Sequence, residues 1–269
     1  MEIGKVPNKV LKEIILDKIK FKRKEVLLRP KIGEDCCAVD FGDNVCVLST
    51  DPITGAANEV GRLAVHVSCN DLASCGVEPL GLMVTILSPP GTKETDLDTV
   101  MEQLCSTANS LNVDIMGGHT EVTDSVNRFV IIATSVGKIL KDKLVTTSGA
   151  KVGDSIILTK SAGIEGTAIL AHDREDKLIE RFGTKFVERA KSFMNDISVV
   201  KEGIISGEFG VSSMHDVTEG GVLGAVWEVA EASEVGIDIY EEKIPIEEES
   251  LEICNFYNIN PLKLISSGC

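Results

Sequence analysis

The chain has 269 residues, a net charge of −15 from 42 acidic against 27 basic side chains, and a composition that is 43% hydrophobic but only 4% aromatic. That length exceeds a usual single core and predicts one large or two medium domains with enough apolar content to bury them. The acidic balance argues against a surface that tracks phosphate backbones, and so against nucleic-acid binding. Scarce aromatics point to a core of Val, Ile, Leu and Ala, which suits an α/β protein.

The first dozen residues are charged rather than apolar, and no run approaches the ~20 apolar residues that cross a bilayer. The chain therefore reads as cytoplasmic, without a membrane partner, and its eight cysteines as thiols. Their spacing holds no Cys-x-x-Cys: Cys36 and Cys37 are adjacent, and Cys69 and Cys75 lie six apart. Most read as small buried hydrophobes, with a thiol or metal role for Cys36, Cys37, Cys69 and Cys75 kept as an alternative.

In chain order, helical spacing predicts a helix over 10–19, and alternation about a Gly42-Asp43-Asn44 turn predicts a hairpin over 38–50. A helix of small and apolar residues over 58–75 ends at Gly76, and a strand over 82–87 follows Pro79. Ser88-Pro89-Pro90-Gly91 closes that strand before an amphipathic helix over 96–112 and strands over 113–116 and 128–136. The polar stretch 141–153 marks a boundary, giving an N-terminal domain over 1–145 and a second over 146–269. In the second, strands are expected over 155–159, 211–214 and 237–240, and helices over 166–171, 173–206 and 222–232. Residues 261–265 resemble the lead into a further strand, so this domain reads as incomplete at its end. The fold class is α/β (α+β) in both halves.

There is no G-x-x-x-x-G-K-[ST] and no G-x-G-x-x-G, so phosphate chemistry needs another design. The candidates are carboxylates at strand ends and glycine turns. Asp35 follows Gly33-Glu34, Asp51 follows an apolar strand, Asn70-Asp71 sits in a small-residue helix, and Asp216 precedes Thr218-Glu219-Gly220-Gly221. Carboxylates drawn from distant segments are what magnesium requires, although each alone is commonly a turn or cap residue. Gly117-Gly118, Gly163 with Gly166, and Gly220-Gly221 could bring backbone N–H groups to phosphates, or merely make tight turns. His119 is a candidate proton-transfer or phosphate-donor group, or a satisfied turn residue. His215 could line a site beside Asp216, whereas His66 reads as a core or interface residue and His172 as a helix-end surface residue.

These residues resemble a family. Gly33-Glu34-Asp35-Cys36-Cys37-Ala38-Val39 and Ser49-Thr50-Asp51 are similar to the "G-D-D-A-A…T-D" start shared by AIR synthase, HypE, thiamine-monophosphate kinase and selenophosphate synthetase. Asn70-Asp71-Leu72-Ala73-Ser74-Cys75-Gly76-Val77-Glu78-Pro79 resembles "N-D-(L/I)-A-x-x-G-A-x-P", and Gly117-Gly118-His119-Thr120 resembles "G-G-(E/D/H)-(T/S)". The segment from Ser161 to Leu170 resembles the opening of the family's second domain, and Asp216-Val217-Thr218-Glu219-Gly220-Gly221 its "D-(P/V)-T-x-G-G".

The resemblance implies two α/β domains, the first pairing with its copy to make a homodimer through a shared β-barrel. It implies ATP and Mg2+ near Asp35, Asp51, Asp71 and Asp216. Phosphate or nucleotide contacts would come from Thr50, Asn70, Gly117, Gly118, Thr120, Gly163, Gly166, Thr218 and Gly220, and catalytic roles fall to Asp71, His119 and Asp216. The implied chemistry is phosphorylation of a carbonyl, amide or carbamoyl oxygen of an acceptor that the sequence does not identify. A nucleotide-binding maturation scaffold without turnover is the alternative. The Asp-Val-Thr-x-Gly-Gly form leans toward HypE, a hydrogenase-maturation protein. Cys269, however, lies in a Ser266-Ser267-Gly268 context that resembles an interior segment and not HypE's cysteine-bearing tail.

Overall fold

The structure is a computed structural model and describes residues 4–55 and 59–269. An irregular helix over 8–18 leads into β1 (Val26–Leu28), β2 (Cys37–Phe41) and β3 (Asn44–Ile53). β2 and β3 form the expected hairpin: Gly42 takes φ +88°, and its N–H donates to Asp40 Oδ1 at 3.0 Å. Then follow α1 (Val60–Ser74), β4 (Pro79–Ser88), α2 (Glu94–Ser110), β5 (Asp114–Val122) and β6 (Val130–Leu140). The expected start of α1 at residue 58 lies outside the described residues.

The six strands form one open sheet in the order β1-β2-β3-β6-β4-β5. Only β4 and β5 run parallel, because α2 carries the chain back over the sheet between them. α1 and α2 cover one face. Val60, Ala64, Val65 and Cys69 of α1 meet Leu82, Val84, Ile86, Ile131 and Ala133 of the strands in the main core. Alternation sends the other set of side chains, among them Phe41 (71% exposed) and Met83 (45%), to a face that no described residue covers.

α1 is buried almost all round, which its Gly, Ala, Ser and Cys positions permit. It ends at Gly76 in the left-handed region (φ +73°), where Val77 N–H reaches back to Leu72 O at 3.0 Å.

The second half differs from expectation. It holds α3 (Ile164–Asp173), α4 (Glu175–Phe182), α5 (Thr184–Ser192), α6 (Val200–Phe209), α7 (Gly221–Ser233) and α8 (Glu248–Tyr257), the last not foreseen from the sequence. The strands expected over 155–159, 211–214 and 237–240 do not form among the described residues. Their alternation is strand-like, but a strand exists only with a ladder partner, and Ile157 instead stands 83% exposed. Residues 261–265 make a 3-10 turn (Pro261–Lys263) and then lie along the start of α3.

The halves are tied through α1. α6 packs on it so closely that a Cβ on Gly203 would come 2.2 Å from Ala73 O. The fully buried Asn70 amide donates to Ile197 O at 2.9 Å and accepts Val199 N–H at 2.8 Å.

Candidate active site

Four aspartates from four segments meet at the junction of the two halves. Asp35 lies in the loop entering β2, Asp51 on the helix-covered face of β3, Asp71 on α1, and Asp216 in the loop before α7. Ser49, two residues before Asp51 on the same sheet face, fixes the group. Its hydroxyl lies 3.1 Å from Asp35 O and hydrogen-bonds the Asp71 carboxylate. One ligand atom each of Asp35, His215 and Asp216 falls within 4.8 Å of the others.

The decisive feature is Asp216. Its carboxylate is buried, and neither oxygen has a hydrogen-bond partner from any other described residue. A buried ionised carboxylate without partners is strongly disfavoured, so the group must either hold a proton or meet a cation. Burial, then the neighbouring Asp35 and Asp51, push Asp216 up to about 7 against the pull of His215. Burial and the charges of Asp216, Asp51 and Asp35 drive Asp71 well above the carboxylate range. Burial also raises Asp35, which His215 and Lys5 oppose. Glu34, next in sequence, is buried, its Oε2 without a hydrogen bond and 3.9 Å from Lys31 Nζ, and burial pushes it up to about 7 despite Lys31 and His215.

His215 is the counter-charge. Its Nε2 lies 2.9 Å from Glu228 Oε2 on α7, and its Nδ1 faces Asp35 Oδ2 at 3.5 Å, a contact of charge rather than a hydrogen bond. Burial alone would hold the imidazole neutral, yet Glu228, Asp35 and Asp216 raise its pKa. Glu228 in turn receives Lys5 Nζ on Oε1 at 3.2 Å.

Other candidate residues lie elsewhere. Asn70, expected at a phosphate, spends both ends of its amide on the backbone of 197–199. Gly117 and Gly118, expected at a strand end, sit inside β5. There the parallel ladder skips Met116 between the pairs Leu82–Ile115 and Met83–Gly117. Gly118 takes φ +152°, and a Cβ there would lie 1.7 Å from Val84 O, so its glycine serves the strand contact. His119 and Thr120 follow on this exposed edge strand, three strands from β3 and so about 14 Å across the sheet. His119 pairs with Glu121 at 3.4 Å. Thr50 points to the uncovered face and hydrogen-bonds Thr134 at 2.9 Å.

Gly163 and Gly166 open α3, but their N–H groups go to Ser266 Oγ (2.7 Å) and Ile265 O (3.0 Å). They admit the 261–268 segment, with Leu264 packed where a Cβ of Gly166 would be. Thr218 and Gly220 follow Asp216 at the N-terminal end of α7, where Gly220 is exposed at φ +91°.

The four thiols do not gather at one point. Cys36 and Cys75 meet in one buried layer, Cys69 of α1 enters the main core, and Cys37 turns to the uncovered face. Cys269 is buried, with its thiol 3.1 Å from Ser266 Oγ, and burial pushes it up to about 11.

Residues 33–139 match the model for the AIR synthase related protein N-terminal domain, and 151–264 match that for the C-terminal domain. A hydrogenase expression/formation protein of Methanocaldococcus jannaschii is 30% identical over 98% of this chain and 78% of its own length. The chain belongs to the AIR synthase related family. The carbamoyl dehydratase HypE of Bradyrhizobium diazoefficiens is 28% identical over 88% of this chain and 68% of its own. A solved HypE–HypF complex matches with a TM-score of 0.75 at 26% identity, covering 96% of this chain and 82% of that one. In this AIR synthase related chain, the two loops that face each other at the acidic cluster, Gly33-Glu34-Asp35 and His215-Asp216-Val217-Thr218, both lie within the matched spans. Glu228 and Lys5, which complete the charge network, stand outside every motif; no local pattern marks two residues 223 positions apart.

Proposed function

We propose that this AIR synthase related chain is a Mg-ATP-dependent, ADP-forming enzyme of the HypE type that phosphorylates a carbonyl, amide or carbamoyl oxygen. The observation that carries the reading is the partnerless buried carboxylate of Asp216 set against Asp35, Asp51 and Asp71. Carboxylate oxygens fit a hard divalent ion, and orphaned oxygens are what such an ion would satisfy. The four aspartates would hold it, and when bound it supplies positive charge to the phosphoryl oxygens.

The chain's own part is positional and electrostatic. Ser49 fixes the Asp71 carboxylate, and His215 opposes the burial that raises the pKa of Asp35 in a crowded acidic site. The exposed N-terminal end of α7 at Thr218 and Gly220 offers backbone N–H groups next to Asp216 for phosphate oxygens. Asn70 and the Gly163–Gly166 turn act one step back, fastening the second half against α1 and the 261–268 segment.

The uncovered sheet face is assigned to a second copy of the chain. Thr50 lies on that face and His119 at its edge, so a homodimer would bring them near a partner's nucleotide. The resemblance to a HypE solved with HypF makes a protein-borne acceptor the substrate class we favour over a free metabolite.

Calorimetric titration with ATP and magnesium, followed by an ADP-release assay, tests the reading. Binding with slow ADP formation is expected in the absence of acceptor. Binding without any turnover across candidate acceptors would favour a nucleotide-dependent scaffold, and no binding by folded protein would overturn the proposal.

A further inference from the structure

Among the described residues, carboxylates outnumber cations at the acidic site. Asp35, Asp51, Asp71 and Asp216 converge with Glu34, Glu219 and Glu228 around them, and a magnesium-bound triphosphate is itself a net anion. Two cations act on Asp35, His215 and Lys5. The His215 side chain is 3% exposed and directs both ring nitrogens at carboxylates, so it is committed to holding the site together. Lys5 differs in every respect. It arrives from the segment before the irregular helix at 8–18, its side chain is 43% exposed, and its direct partner among the described residues is Glu228 Oε1 at 3.2 Å. Its charge also reaches Glu219 and Asp35, whose side chain is 37% exposed. An ammonium on a four-carbon stem can exchange one anionic partner for another a few ångströms away, which a ring pinned at both nitrogens cannot do.

We propose that Lys5 is a phosphate-binding residue of the nucleotide site, its ammonium leaving Glu228 Oε1 for the terminal phosphates when a magnesium-bound nucleotide arrives. The proposal rests on the ATP reading above and adds to it the N-terminal segment, which no motif of the sequence marks as part of the site. Glu228 keeps its Oε2 on His215 through the exchange, so the counter-charge at Asp35 stays in place. A plain staple between the N-terminal segment and α7 would use the same salt bridge, and the two roles separate by ligand. A phosphate contact matters more as phosphates are added, whereas a staple affects every nucleotide alike.

The test is calorimetric titration of the unaltered chain, Lys5→Gln and Lys5→Arg with ATP, ADP and AMP at saturating magnesium. Lys5→Gln should lose about ten-fold or more in affinity for ATP, less for ADP and least for AMP, with the nucleotide-free thermal midpoint nearly unmoved. Lys5→Arg should restore ATP affinity to within about three-fold. An equal loss for ATP and AMP, or no loss at all, would overturn the role of Lys5 while leaving the nucleotide site intact. Failure of the unaltered chain to bind ATP would instead remove the nucleotide reading on which it rests.

Discussion

His215 Nε2 lies 2.9 Å from Glu228, and the opposite ring nitrogen turns toward Asp35 at 3.5 Å. The imidazole therefore lies between carboxylates that would otherwise repel one another, and against the opposing effect of burial they raise its pKa. Replacing it with a neutral side chain leaves Lys5 to oppose burial and the acidic neighbours, which raise the pKa of Asp35. Binding of magnesium nucleotide requires the ionised carboxylate, so the acid limb of the binding profile should move upward. For His215→Gln we expect a displacement of roughly 1 pH unit toward neutrality. Titrations with Mg-ATP between pH 5 and 8 check this, and an unchanged limb would show that His215 does not govern Asp35.

Asp216 and Glu34, both lifted to about 7, shape the pH response of the nucleotide-free fold together with the raised Asp71 and Asp35. An acid whose folded pKa exceeds its unfolded value binds more protons in the folded state, so stability falls as pH rises between the two values. His215 acts with the same sign: its raised pKa gives stability at low pH that is lost as the ring deprotonates. The metal-free protein should accordingly lose stability from about pH 4 to about pH 7, by up to about 4 kcal/mol from Asp216 alone. Magnesium competes with those protons. Its stabilising effect should be small at pH 5.5 and large at pH 8, readable as thermal midpoints with and without the ion.

The same carboxylate predicts a trade between stability and binding. Asp216→Asn removes a buried charge without changing shape, so the metal-free protein at pH 8 should melt higher than the parent. It should also lose the stabilisation by magnesium and at least ten-fold in Mg-ATP affinity, about 1.4 kcal/mol. Asp71→Asn should weaken Mg-ATP similarly while remaining folded. A destabilised Asp216→Asn would mean that the group is held by protein contacts and not by a cation.

Much of this arrangement is legible along the chain where structure is local. The β2–β3 hairpin announces itself through alternation and Gly42, and α1 through small residues and a glycine stop, because neighbours within a few positions decide both. Ile156 and Ile157 mislead for the opposite reason: their pattern suits a strand, but a ladder needs a distant partner that no local pattern supplies. Gly118 and Gly166 show a second limit. Sequence marks a glycine, yet only the packed chain shows that Val84 O and Leu264, and not a phosphate, occupy the space its missing Cβ leaves.

Asn70 is the sharpest case, since a polar residue in a buried helix beside Asp71 invites a ligand. The structure instead spends its amide on Ile197 O and Val199 N–H, joining the halves across which the aspartates meet. Asn70→Ala leaves two buried backbone groups unpaired and should cost about 2–4 kcal/mol. Chemical denaturation measures the loss, and stability within about 0.5 kcal/mol of the parent would contradict the tie.

The uncovered sheet face yields the last prediction. Met83 on β4 projects from it between Leu82 and Val84, whose side chains enter the core, and Thr50 and His119 belong to the same side of the sheet. An apolar sheet face of this extent is costly in water, and a second copy presenting the same face would bury it on both chains. Met83→Asp places a charge at that face without touching the aspartate cluster or the core. Sedimentation should show a dimer for the parent and a monomer for the variant. If Thr50 and His119 serve the partner's nucleotide, the monomer should also bind Mg-ATP at least several-fold more weakly. A parent that sediments as a monomer would remove the second copy from the site, and with it the role assigned to His119.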